Sequence, residues 1–260
     1  MTATVTYTLG RFVWRELFTR DVAAVKRFYG GLFGWTFDDR PMGDWFYTVV
    51  KTGDKEIAGL MDLANMPGGD DGHIPAHWAV YVSVADVDAA AKTAVAEGGR
   101  VVSDCHDIPG VGRFAVLQDP QGAHFSLFRR HAGDGEDTAP QTHEFCWESL
   151  MTHDVARAVP FYEKVVGWGT TTMGEMPLFT RMRHGQPEGV ASTGPAPEGA
   201  PAFWSTFVAV DAVTEAIAQA RALGGTVLLE RTEIPDVGAF GIIQDPAQAV
   251  IYLFEPNPAR

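Results

Sequence analysis

The stretch Phe28-Tyr-Gly-Gly-Leu-Phe-Gly-Trp35 decides the fold, because its pattern returns 133 residues later as Phe161-Tyr-Glu-Lys-Val-Val-Gly-Trp168. Further along the chain the offset becomes 126, and Gln118-Asp119-Pro120 matches Gln244-Asp245-Pro246. The other matched pairs are Trp14 with Trp147, and Ile108-Pro109 with Ile234-Pro235. Matches in one order, with a single change of offset, indicate a tandem duplication.

The change of offset means that the second copy is shorter, and the Gly-, Pro- and Asp-rich stretch from Asp62 to Ala76 accounts for it. This stretch is also long enough to act as a lid over a site. The polar segment from His131 to Thr142 contains a proline and two glycines, as linkers often do. The sequence therefore predicts a first domain over residues 1–130, a linker over 131–142 and a second domain over 143–260.

Each copy contains the same order of elements twice: one strand, one helix and three strands. In the first of these, an alternating strand over 11–19 precedes a helix that Asp21 caps and Gly34 ends. A βαβββ unit covers one face of its sheet with its helix, and two such units side by side form an open cup. The predicted fold class is α+β. Two tandem domains each contain paired βαβββ units that form a curled, cup-shaped mixed sheet with the helices outside.

Composition limits the partners. The net charge of −13 argues against nucleic acid and against an anionic membrane surface, because both attract basic proteins. No apolar run reaches the ~20 residues that span a bilayer, and the N-terminus lacks the pattern of a signal peptide. Two cysteines are too few for a disulfide framework. We expect a cytoplasmic protein with a small-molecule ligand, either a monomer with two intrachain domains or a weak homodimer.

Three segments carry a family resemblance: Trp14-Arg-Glu-Leu17, Phe28 to Trp35, and Gly112-Arg-Phe-Ala-Val-Leu-Gln-Asp-Pro-Gln-Gly-Ala123. They resemble the vicinal oxygen chelate superfamily, which includes glyoxalase I, bleomycin-resistance proteins and extradiol dioxygenases. The tandem form is similar to actinobacterial glyoxalase-like and hydroxylase-like proteins. The resemblance implies the fold and does not decide the activity, because this fold hosts enzymes and drug binders alike.

The resemblance also implies metal-ligand positions on the first and last strands of each unit. Those positions hold these residues: Trp14, Gly59, Ala79 and Ser126 in the first copy, and Trp147, about Ala191, Ser205 and Tyr252 in the second. None is a histidine or a carboxylate, the usual ligands of such ions. We therefore expect no metal and no other cofactor. His77 and His124 lie two residues before expected ligand positions, and a displaced metal pair there is the alternative to two rim histidines.

Aromatic residues and one acid are predicted on the cup face. Alternation along the first strand places Phe12, Trp14, Glu16 and Phe18 on one face, and Phe145, Trp147, Ser149 and Met151 on its counterpart. The candidate ligand-binding residues are Trp14, Phe12, Trp45, His77, Tyr81, His124 and Trp147, unless these aromatics only fill the space of a lost metal. Glu16 is the candidate catalytic residue, because an inward carboxylate has a raised pKa that suits proton transfer. A structural carboxylate is the alternative.

Three functions remain open at this point. The first is a metal-independent protein of the glyoxalase and bleomycin-resistance type that binds an aromatic or amphipathic metabolite or antibiotic. The second is a metal-independent isomerase, lyase or accessory hydroxylase that uses Glu16. The third is a metal-dependent lyase or dioxygenase. The sequence does not decide whether the protein is an enzyme.

Overall fold

The computed structural model describes residues 5–66 and 73–257, which form sixteen strands and four α-helices. The first repeat contains β1 (Phe12–Thr19), α1 (Val22–Phe33), β2 (Thr36–Met42), β3 (Trp45–Thr52), β4 (Lys55–Asp62), β5 (His77–Ser83), α2 (Val87–Ala96), β6 (Arg100–Ile108), β7 (Gly112–Gln118) and β8 (His124–Arg130). The second contains β9 (Phe145–Thr152), α3 (Val155–Val166), β10 (Gly169–Met173), β11 (Met176–Arg183), β12 (Gln186–Pro195), β13 (Phe203–Ala209), α4 (Val213–Ala222), β14 (Thr226–Ile234), β15 (Gly238–Gln244) and β16 (Val250–Pro256).

The two repeats have the same topology, as the duplication predicted. Each forms one open eight-stranded sheet, in the order β2-β3-β4-β1-β5-β8-β7-β6 and β10-β11-β12-β9-β13-β16-β15-β14. The second order is the first with eight added to every strand number. The α+β architecture of paired βαβββ units is therefore confirmed. We call the four units modules 1 to 4, over residues 12–62, 77–130, 145–195 and 203–256.

The chain divides into two compact bodies. Body I contains residues 5–13, 79–138 and 148–204, and body II contains residues 14–66, 73–78, 139–147 and 205–257. Body I thus joins most of module 2 to most of module 3, and body II joins modules 1 and 4. The domain boundaries predicted from the sequence follow the two repeats and remain a prediction.

Each body has its own hydrophobic core on the helix side of its strands. In body I, α2 and α3 bury Ala91, Ala94, Phe161 and Tyr162 with strand residues such as Leu127. The core of body II is built in the same way from α1 and α4. Because the apolar faces of two helices meet there, each core contains residues from both repeats.

In each core, a chain of hydrogen bonds joins a tryptophan, a tyrosine and an aspartate. The tyrosine and the aspartate belong to the repeated motifs, which explains why both repeats contain them. In body II, Trp78 Nε1 donates to the Tyr29 hydroxyl at 3.1 Å, which donates to Asp245 Oδ2 at 3.0 Å. Asp245 Oδ1 also accepts from the backbone N–H groups of Ala247 and Ala249. Desolvation raises the pKa of Asp245 to about 6. The tyrosine of one motif thus binds the aspartate of the other.

Body I repeats this chain of hydrogen bonds. Trp204 Nε1 donates to the Tyr162 hydroxyl at 2.9 Å, which donates to Asp119 Oδ2 at 3.1 Å. Burial raises the pKa of Tyr162 well above its usual value, and the charge of Asp119 adds to this effect. The tyrosines and aspartates of the repeated motifs are therefore buried residues.

The predicted linker is fastened to body I at its start. Asp134 Oδ2 accepts from the backbone N–H of Thr8 at 2.7 Å and from the Ser83 hydroxyl at 2.6 Å. Asp137 forms ion pairs with Arg181 and Arg183 at 2.6 and 3.2 Å. The acidic residues Asp134 and Asp137 of this segment therefore form specific hydrogen bonds and ion pairs. The predicted lid falls partly on residues 67–72, which lie outside the described residues.

Candidate functional site

The first strand of body II presents a tryptophan and an acid on the face away from the helix. Trp14 is 9% exposed and Glu16 is 5% exposed, two residues apart on β1 and so on the same face. Leu17 points the other way into the core of body II. Glu16 and Leu17 thus alternate as predicted, in the stretch of β1 that pairs with β4.

Tyr47 joins these two residues, and sequence reasoning missed it. Its hydroxyl accepts a hydrogen bond from Trp14 Nε1 at 3.1 Å. It reaches this position because Gly59 on β4 has no side chain. A Cβ atom at Gly59 would overlap the Tyr47 hydroxyl and would lie 2.9 Å from Glu16 Oε1. The phenol and the carboxylate thus lie over the same Cα atom, and Glu16 is the residue paired with Gly59 in the sheet.

Two further aromatic groups of body II continue this surface. The rings of Phe18 and His77 stack at 5.1 Å, and His77 Nδ1 lies 2.8 Å from the Pro75 carbonyl oxygen. Desolvation lowers the pKa of His77 below its usual value, so it is neutral near pH 7. Trp45 lies two residues before Tyr47 on β3 and therefore shares its face. We refer to Trp14, Glu16, Phe18, Trp45, Tyr47 and His77 as the module 1 surface.

Body I contains Tyr81 and His124 in different settings. Tyr81 is 8% exposed, pairs with Ser126 in the sheet and contacts the rings of Phe114 and Phe128. His124, at the start of β8, is exposed. Tyr81 is therefore part of an aromatic cluster, whereas His124 lies on the surface of body I.

The second repeat replaces the polar groups of the module 1 surface. In body I, the Ser192 hydroxyl donates to the Ser149 hydroxyl at 3.0 Å, where the first repeat has Gly59 and Glu16. In body II, Phe207 and Tyr252 pack at 4.7 Å, and Trp147 is half-buried. The carboxylate and the phenol of module 1 are therefore not duplicated.

Phe12 and Phe145 were predicted on the cup face, but both rings pack in hydrophobic cores. The Phe12 ring packs in the core of body I, 5.5 Å from Trp168 and 5.3 Å from Trp204. Phe145 packs in the core of body II, 5.4 Å from Trp35. Phe12 lies before the point at which the chain passes from body I to body II, between Val13 and Trp14, so its ring packs within body I.

The pairing also tests the positions where the superfamily places metal ligands. Ser192 pairs with Ser149 as Gly59 pairs with Glu16, so Ser192 replaces Ala191 as the expected fourth-strand position. The residues at these positions are tryptophan, glycine, alanine, serine and tyrosine, which do not suit a divalent ion. Across residues 5–66 and 73–257, no group of three or more His, Cys, Asp or Glu side chains could hold a metal.

The geometry defines a class of fold, and comparison with known proteins identifies the family. The model of the Glyoxalase/Bleomycin resistance protein/Dioxygenase superfamily matches residues 8–127 and 144–253. The chain belongs to this superfamily. Among the helices of the described residues, none is long and apolar enough to cross a membrane.

Relatives with similar sequences cover nearly the whole chain. The chain is 33% identical over 258 residues to "Putative glyoxylase CFP32" of Mycobacterium tuberculosis, covering 98% of each chain. It is 31% identical over 267 residues to the anthracycline biosynthesis protein DauV of Streptomyces sp., covering 96% of each. The 2,3-dioxygenase LapB from Pseudomonas sp. KL28 has a similar fold, with a TM-score of 0.63 at 13% identity over 96% of this chain and 93% of that one.

Proposed function

We propose that this protein binds a planar aromatic small molecule on the module 1 surface without a metal ion. The observation that carries the proposal is Trp14, which stands at an expected metal-ligand position with the buried carboxylate of Glu16 two residues away. An indole ring at this position offers a stacking face, and each aromatic contact is worth roughly 0.5–1.5 kcal/mol beyond burial. The carboxylate then orients the ligand through a hydrogen bond.

The relatives support a fused-ring ligand. DauV and DnrV are both named as anthracycline biosynthesis proteins, and each is 31% identical to this chain over 267 residues. Anthracyclines are flat, oxygen-rich polycyclic molecules. Their fused rings suit stacking on the aromatic side chains of Trp14, Phe18 and Trp45. A ligand of this class is therefore the first to test.

The direct experiment is a fluorescence titration of the protein with an anthracycline, with and without a chelator. We expect saturable binding and an unchanged dissociation constant in the presence of the chelator, because no side chain of the module 1 surface requires an ion. Elemental analysis of the same sample should give well under one divalent ion per chain. Binding that disappears with the chelator and returns with one metal would reject the metal-independent proposal.

A second candidate is a metal-independent enzyme in which Glu16 transfers a proton. Its specific support is the position of the carboxylate, which is buried and lies beside the Tyr47 phenol. Buried carboxylates serve as general acids or bases in many enzymes. Product analysis after incubation with the bound ligand separates the two candidates. Turnover that survives the chelator and is lost in Glu16→Gln would favour the enzyme, and binding without turnover would favour the binder.

A further inference from the structure

The hydrogen bond between Trp14 and Tyr47 can form in one direction only. The indole N–H of Trp14 can only donate, and it donates to the oxygen of Tyr47. The proton of the Tyr47 hydroxyl therefore points away from Trp14. An ionised carboxylate can only accept, and Glu16 lies over the same Cα atom as the phenol. A hydroxyl donor and a carboxylate acceptor therefore lie side by side over Gly59.

Gly59 is what makes this arrangement possible. A Cβ atom there would lie 2.7 Å from Tyr47 Cζ, closer than real side chains allow, and would overlap the hydroxyl. The backbone of Gly59 does not adopt the left-handed conformation that only glycine favours. Glycine at this position therefore makes room for the phenol, and the backbone conformation does not require it.

We propose that Tyr47 is the positioning residue of this site and that it aims the Glu16 carboxylate at a hydroxyl group on the ligand. Glu16 is 5% exposed, and a hydrogen bond from a ligand hydroxyl is stronger in such buried surroundings than in water. This inference rests on the proposed function. It narrows the ligand class to planar aromatic molecules with a phenolic or ring hydroxyl group that can donate.

The second repeat provides matched control positions. Ser192 corresponds to Gly59, since each pairs with the residue two positions after the strand's tryptophan. Met176 corresponds to Tyr47 by its place two residues before the strand position that pairs with Ser192. Neither residue belongs to the module 1 surface. Changes at these positions test whether an effect is specific to the first repeat.

The experiment compares two probes, a hydroxyanthraquinone whose hydroxyl lies away from the carbonyl groups, and its methyl ether. They share one ring system and differ in the ability to donate a hydrogen bond. We expect the wild-type protein to bind the hydroxyl probe about 10-fold more tightly, as for a hydrogen bond to a charged group. Tyr47→Phe and Gly59→Ala should each reduce this ratio to about 2-fold while changing the affinity for the methyl ether less than 2-fold.

The control variants Ser192→Ala and Met176→Leu should retain the 10-fold ratio. In the double variant Tyr47→Phe/Gly59→Ala the two losses of selectivity should be less than additive, because the new Cβ acts on the phenol as well as on the Glu16 carboxylate. Thermal unfolding of every variant shows that it is folded. An unchanged ratio in Tyr47→Phe, or an equal loss of affinity for both probes, would overturn the role of Tyr47. Failure of the wild-type protein to bind either probe would instead reject the proposed aromatic binding.

Discussion

At the scale of single residues, the two tryptophans of the first strands are equivalent in sequence and different in surroundings. Trp14 bonds to Tyr47 and lies beside a carboxylate, whereas the strand of Trp147 continues with Ser149. If the first repeat holds the site, Trp14→Ala should weaken binding of the ligand by roughly 1–3 kcal/mol. Trp147→Ala should leave the dissociation constant within about 2-fold. Titration of both variants with one anthracycline makes the comparison.

Equal losses in the two variants would mean that both repeats bind ligand. A loss confined to Trp147→Ala would place the site in the second repeat. Because both tryptophans lie in strands, unfolding temperatures must accompany the titrations. A loss of stability without a loss of affinity is the result expected for Trp147→Ala.

The raised pKa of Asp245 predicts how the free energy of unfolding changes with pH. Its folded-state pKa is raised to about 6, so the folded protein holds this proton more tightly than the unfolded chain. Its contribution to the free energy of unfolding is complete below about pH 4 and is lost as the pH rises through about 6. Asp245→Asn should remove this dependence, which is on the order of 3 kcal/mol, because an amide does not ionise. Urea unfolding at several values between pH 4 and pH 7 measures it.

The comparison requires a control for the rest of the molecule. The wild-type protein and Asp245→Asn should differ in slope between pH 4 and pH 6 and run parallel above pH 7. Parallel curves over the whole range would contradict the raised pKa of Asp245. The amide can still accept from the backbone N–H groups of Ala247 and Ala249, so the loop should be retained.

The candidate site was predictable only in part. Trp14 and Glu16 follow from alternation along one strand, and the structure places them on one face. Tyr47 has no signal of its own in the sequence, because its role depends on the missing side chain of Gly59 on the neighbouring strand. Cross-strand relations of this kind need the pairing register, which one sequence does not supply.

At the scale of elements, the helices were the most predictable parts. Helix α1 begins after Asp21, whose side chain accepts from the Ala24 N–H, and ends at Gly34 with φ 69°. Both signals are local to the chain, so the sequence contains them directly. Phe12 was misplaced for the opposite reason, since the point at which the chain passes from body I to body II depends on contacts between residues far apart in the sequence.

Helix α4 lacks the cap that the other three helices have. Asp21, Asp86 and Asp154 cap α1, α2 and α3 through their side chains, whereas Ala212 precedes α4 with no such bond. Ala212→Ser should stabilise the protein by about 0.5–1 kcal/mol by supplying the missing acceptor. Serine is preferred to aspartate because Glu255 already accepts from the Val213 N–H. Chemical denaturation measures the gain.

Removal of an existing cap, at the start of α2, provides the control for this prediction. Asp86→Ala removes the bond to the Ala89 N–H and should cost a similar free energy. No effect in either variant would contradict the contribution of side-chain caps to the stability of these helices.

At the scale of the whole molecule, the two bodies recombine the two repeats. The core of body II contains Leu17 and Phe28 from module 1 and Val208 and Ile251 from module 4. Residues 1–130 expressed alone would expose the apolar faces of α1 and α2. We therefore expect that fragment to be unfolded or to self-associate. Circular dichroism and analytical ultracentrifugation of the fragment test this.

Supplying the missing half gives the matching experiment. Coexpression of residues 1–130 with residues 131–260 should restore a folded complex with the ligand affinity of the intact chain. A fragment of residues 1–130 that is a stable, folded monomer would contradict the dependence of each core on both repeats. It would also support the predicted domain boundaries.

The bond from Tyr29 to Asp245 also concerns the protein during its synthesis. These partners are 216 positions apart, so module 1 leaves the ribosome long before the residues that complete its core. Modules 2 and 3 emerge in succession and can associate first, whereas module 1 must wait for the end of translation. At roughly 5–20 residues per second, this wait lasts about ten seconds or more. During that interval the apolar residues of module 1 lack the partners that complete their core, and such exposed apolar surface favours aggregation.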